Sequence, residues 1–130
     1  MPKKKQTTTP FSFSLKSQGN YVNLNYLKEI AGGDLNFITD IINLFLQQSP
    51  ENVKNLNFYA KQKDWESLKK LAHKMRSPIT LVGIEKLLEL LPKLEADGSQ
   101  IKTLESIPSI VNLFTEVWEK AIIELQLQLD

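Results

Sequence analysis

The sequence predicts an all-α fold: an antiparallel up-and-down four-helix bundle with a short additional N-terminal helix. Apolar residues recur at helical spacing in five segments after residue 20, and capping residues and glycines punctuate those segments. No stretch of useful length alternates with period two. The one candidate is FSFSL at 11–15, too short and isolated to found a sheet, although Phe11, Phe13 and Leu15 could pin the N-terminal tail onto the bundle.

Each element has its own signals. A short first helix runs from Asn23 or Leu24 to Ala31 and is stopped by Gly32-Gly33. Asp34 is the N-cap of the second, with Leu35, Ile38, Ile41, Ile42, Phe45 and Leu46 at helical spacing. That helix is expected to continue through Val53, Leu56 and Ala60, bent at Ser49-Pro50 where proline removes a ladder bond. Asp64 caps the third, which holds Trp65, Leu68, Leu71, Ala72 and Met75. The fourth carries Ile84, Leu87, Leu88, Leu91 and Leu94 and is expected to stop at Asp97-Gly98. The fifth runs from near Thr103 to about Leu129, with Ile110, Phe114, Val117, Trp118, Ala121, Ile122 and Leu125 as its stripe.

Composition removes several function classes. A chain of 130 residues is one domain's worth, residues 1–20 reading as a basic, flexible tail and 21–130 as the helical body. Without cysteine there are no disulfides or thiolate metal sites, and a single histidine argues against zinc. Apolar runs are too short to span a bilayer, and the three lysines near the start lack the apolar stretch of a secretory signal, so a cytoplasmic protein is expected. Four lysines and no acid in residues 1–20 leave the rest at −3 of a total of +1. A weakly acidic body is not a nucleic-acid surface, and KKK reads as a solvated terminus. GGD at 32–34 is a helix stop and cap; no GxxxxGK[ST] or GxGxxG occurs, so ATP binding is unsupported.

The lone histidine lies in LAHKMRSPITLVG, residues 71–83. At 100° per residue, Trp65, Leu68, Ala72, Met75 and Ile79 fall within an arc of roughly 80°, and His73 points about 130° from its centre. His73 therefore faces solvent, with Glu66, Lys69, Lys70, Ser77 and Thr80 around it. Between Lys61 and Arg76 six lysines or arginines stand against two acids. An exposed imidazole is a nitrogen nucleophile, and a fringe of Lys69, Lys70, Lys74 and Arg76 suits the charge of a phosphoryl group. A charged, solvated helix face also looks like this.

His73 is followed by Met75, Arg76, Ser77-Pro78 and Gly83; Asp64-Trp65 and Leu71-Ala72 precede it, and Leu94-Glu95 ends the next helix. With the opening NLNYLKEIAGGD, these features resemble the histidine-containing phosphotransfer (HPt) domains of multistep phosphorelays over about 110 residues, from Tyr21 on. Three positions depart from the pattern: Arg76 replaces the usual Lys, Ser77 the usual Gly, and Pro78 a small helical residue, which should bend the helix past the site.

The resemblance implies that His73 accepts a phosphoryl group on Nε2 from the aspartyl phosphate of a receiver domain and passes it to a second receiver. Arg76 and Lys74 would give electrostatic support, Ser77 would keep the approach clear, and Glu95 would orient the ring. Glu66, Lys69, Lys70 and Thr80 would help form the docking face, with the adjoining face of the 34–62 helix. Gly83 would let the following helix pack closely. No cofactor or metal is expected in this chain, magnesium belonging to the partner receiver. Partners would be receiver domains of response regulators or hybrid kinases, with no nucleic acid and no membrane, and the chain would be a monomer. The rivals are a helical protein–protein adaptor of the same fold and a nucleic-acid-binding bundle.

Overall fold

The computed structural model describes residues 21–95 and 101–129, with side chains described from 106 onward in the last helix. Phe11, Phe13, Leu15 and the expected stop at Asp97-Gly98 lie outside the described residues. Five helices account for the fold: α1 (Asn25–Ala31), α2 (Leu35–Lys61), α3 (Trp65–Val82), α4 (Glu85–Leu94) and α5 (Ile101–Leu129). No strand occurs among the described residues, and no helix is long and apolar enough to cross a membrane.

The turns are built as their residues dictate. Gly32, at φ +58°, closes α1 in the left-handed conformation that suits glycine. Asp34 then caps α2 by accepting from the Phe37 N–H at 3.1 Å, and Asp64 caps α3 by accepting from the Ser67 N–H at 3.2 Å. Pro50 and Pro78 lie inside α2 and α3 without ending either. Next to Pro50, the buried Ser49 hydroxyl accepts from the Trp118 indole N–H at 2.8 Å, tying α2 to α5. A second polar tie runs from the Asn57 amide to the Thr115 hydroxyl at 3.0 Å.

The core draws on every helix. α2 packs on α3 and α5, α4 packs on the same two, and α1 lies across α2 and α3. Leu27, Leu56, Leu68, Leu87, Leu91 and Phe114 are fully buried. Each buried leucine contributes about 1.5–3 kcal/mol relative to exposure, so the closed packing, not helix propensity, carries the stability. Leu35, expected in the α2 stripe, is instead 56 % exposed in the first turn of its helix. Ile107, Val111 and Leu90 join the core where the sequence stripe did not place them.

α4 itself is described as far as Leu94, with Glu95 as its cap. Pro92 in the last turn cannot return an N–H to the Leu88 carbonyl, and the Glu95 side chain is committed to α3. One expectation needs correction: Gly83 does not serve close packing of α4. It is the left-handed cap of α3 (φ +66°), and its carbonyl accepts from the Asn23 N–H at 2.9 Å. A Cβ there would stand 1.7 Å from the Asn23 carbonyl oxygen.

Alanine at Gly83 therefore incurs both left-handed strain and a backbone clash, on the order of 3 kcal/mol together. At Gly32 a Cβ meets nothing within 4 Å, and alanine should cost only about 1 kcal/mol, for the φ alone. Urea unfolding midpoints of the two variants should separate accordingly; equal losses would contradict the Asn23 contact.

Candidate functional site

α3 buries Leu68, Ala72, Met75, Ile79 and Val82 and turns the opposite face to solvent. His73 stands in the middle of that open face, its side chain 75 % exposed. Glu66, Lys69, Lys70, Ser77 and Thr80 surround it as the wheel requires, all exposed. Lys70 pairs with Glu66 one turn before at 3.7 Å; the exposure of both makes this pair worth little. The Thr80 hydroxyl donates to the Arg76 carbonyl at 2.8 Å, so it is turned to its own backbone. Lys74 is exposed and points toward the α2 side, roughly 100° around the helix from His73.

Glu95, expected to orient the ring, binds two side chains of α3. From the end of α4 its Oε1 reaches the His73 Nδ1 at 3.1 Å, while its Oε2 accepts from the Arg76 guanidinium. One carboxylate thus joins two positions of the neighbouring helix. Partial burial pushes the Glu95 carboxyl up, but the hydrogen bonds from His73 and Arg76, with their charges, outweigh it and hold Glu95 below the usual carboxylate range. Arg76, expected to give electrostatic support, holds the Glu95 carboxylate that also meets the His73 ring.

The chemistry follows from the donor and acceptor inventory. An ionised carboxylate only accepts, so a neutral His73 ring bonded to Glu95 carries its proton on Nδ1. Nε2 then holds the lone pair that Glu95 leaves unbonded, on a side chain that is largely exposed. A ring held this way can act as a nitrogen nucleophile. Among the described residues no group of three or more His, Asp or Glu could hold a metal ion.

The hairpin explains why Glu95 arrives here. His73 and Glu95 each stand eleven residues from Ile84, at the turn between α3 and α4. Residues equidistant from the turn of a helical hairpin lie side by side, and this symmetry was available in the sequence. Less legible was a shallow apolar groove between α2 and α3, lined by Ile41, Leu44, Gln48, Asn52, Pro78 and Leu81. It lies on the Lys74 side of α3, since Pro78 and Leu81 follow Lys74 at helical spacing. Phe37 and Leu44 are exposed on α2, so neither is committed to the core. No family model, curated protein or solved structure matches the chain.

Two measurements check this geometry. Long-range 1H–15N spectra of the ring should show the Nδ1–H tautomer in the wild type and a shift toward Nε2–H in Glu95→Ala; an unchanged ratio would deny the bond its role. Because the folded-state pKa of Glu95 is depressed, its contribution to stability is present above the ordinary carboxylate range and is lost as pH falls through the depressed value. Glu95→Gln should lower stability on the order of 1 kcal/mol near neutral pH, with the gap to wild type closing in acid. A gap independent of pH would contradict the assignment.

Proposed function

We propose that the chain is a phosphorelay intermediate of the histidine-containing phosphotransfer kind, working from an antiparallel four-helix bundle with an additional N-terminal helix. The observation that carries this reading is His73 itself: exposed in mid-helix, with Nδ1 held by Glu95 and Nε2 free. A core histidine would be buried, and an incidental surface histidine has no need of a carboxylate braced by an arginine. The closed packing of α2, α3, α4 and α5, with α1 laid across α2 and α3, agrees with such a bundle.

In the proposed reaction Nε2 attacks the phosphorus of a receiver's aspartyl phosphate. The N–P bond forms, the P–O bond to the aspartate breaks, and the carboxylate leaves with the bonding pair. The ring keeps its Nδ1 proton throughout, and the positive charge it gains sits against Glu95. Transfer to a second receiver reverses these steps at another aspartate. Lys69 and Lys74 remain to meet phosphoryl oxygens, and Ser77 leaves the approach open. The receiver would bear on Glu66, Lys69, Lys70 and Thr80 and on the α2–α3 groove. Magnesium would belong to the receiver, and the chain would act as a cytoplasmic monomer, without nucleic acid or membrane.

The test is phosphotransfer from a panel of phosphorylated receiver domains, read as an acid-labile mass increase. Wild type should be loaded and His73→Gln should not. Glu95→Ala should load roughly tenfold more slowly, as loss of one charge-assisted hydrogen bond of ~1.5 kcal/mol requires. Leu44→Asp should weaken loading without unfolding the protein. If no receiver loads a folded wild type, the adaptor reading replaces this one.

A further inference from the structure

We propose that Arg76 is a positioning residue, serving His73 only through Glu95 and leaving the phosphoryl oxygens to Lys69 and Lys74. The proposal rests on the phosphorelay reading and deepens it by separating the tasks of the cations on α3.

Helix geometry already sets Arg76 apart. At 100° per residue it lies about 60° round α3 from His73, on the flank toward Glu95 and α4. Lys74 lies on the opposite flank, beside the α2–α3 groove. Lys69 stands one turn before the ring. Both lysines are exposed, and no ion pair engages either among the described residues.

The contacts follow the same division. The Arg76 guanidinium donates to Glu95 Oε2, while Glu95 Oε1 meets the His73 Nδ1 at 3.1 Å. Side-chain exposure falls from 75 % at His73 through 42 % at Arg76 to 18 % at Glu95. The most covered member of the three is thus the charged link between the other two. With Oε2 tied to the guanidinium, the carboxylate cannot turn freely, and Oε1 stays with the ring.

The two bonds to Glu95 differ in kind. Burial favours a protonated Glu95, and the bonds from His73 and Arg76 oppose it. The His73 bond donates only while the ring carries its proton on Nδ1. The guanidinium is always charged and always a donor, so its bond survives whichever nitrogen the ring protonates. Arg76 is the constant element that keeps Glu95 an acceptor. An acceptor at Nδ1 is what leaves Nε2 its lone pair.

Phosphoramidate, a small donor that needs no docking, tests this in the full-length protein. Nε2 attacks its phosphorus and gains the N–P bond. The donor's ammonium nitrogen leaves as ammonia, with the pair of the broken P–N bond. Loading, read as the acid-labile mass increase, should be roughly tenfold slower in Arg76→Gln and in Glu95→Ala. The double variant should be no slower than either single one, because both remove the same path. The ring tautomer is a readout that a merely structural arginine would not move. Arg76→Gln should shift it toward Nε2–H, as Glu95→Ala does. A double variant slowed roughly a hundredfold, as independent effects require, would overturn the proposal. So would an Arg76→Gln ring still in the Nδ1–H form. Should Arg76→Gln not fold, Arg76→Lys, which lacks the planar fork, replaces it with a smaller loss and the same non-additivity. If phosphoramidate gives this pattern but no receiver loads the wild type, the phosphorelay reading fails and the role of Arg76 stands.

Discussion

The backbone at Gly83 fixes what stands beside His73. Its left-handed conformation ends α3, its carbonyl is bound by the Asn23 N–H, and α4 begins two residues later. Once α4 folds back along α3, the register of the hairpin is no longer adjustable. A residue eleven positions past the turn must meet the residue eleven positions before it. The chemistry of the open face is thus decided at the far end of α3, where nothing reactive is present.

That register lets a single carboxylate do two jobs. Glu95 is mostly covered, with its side chain 18 % exposed, while the imidazole it binds is largely in water. Burial alone would favour protonation and destroy the acceptor. The hydrogen bonds from His73 and Arg76 prevent this, keeping the carboxylate charged where solvent cannot. Arginine suits this position: a planar fork can grip a carboxylate more firmly than a rotating ammonium does. Order in the ring therefore comes from a partly covered ion pair, while the imidazole itself stands largely in water.

Much of this was legible in the sequence. Asp34 and Asp64 announced the starts of α2 and α3, and the stripe Leu68, Ala72, Met75 and Ile79 was enough to turn His73 outward. Local chemistry and periodicity suffice for such features because they involve one helix at a time. What escaped depended on two helices at once. The Arg76–Glu95 pair needs the hairpin register, and the role of Gly83 needs a neighbour sixty residues away in the chain, Asn23. Leu35 shows the reverse failure: its spacing fits the stripe, but the first turn of α2 projects beyond the core it would need to reach.

The bond between Trp118 and Ser49 has an optical consequence. The two tryptophans of the chain occupy different seams: the Trp118 indole is bonded across α2 and α5, and Trp65 is half-buried in the first turn of α3, eight residues before His73. Neither hydrogen-bonds to the α3–α4 pair that holds the imidazole. Emission from Trp118 should track opening of the core, whereas quenching confined to Trp65 would signal an object arriving on the histidine helix. The molecule carries its own separation of unfolding from binding, without any label added.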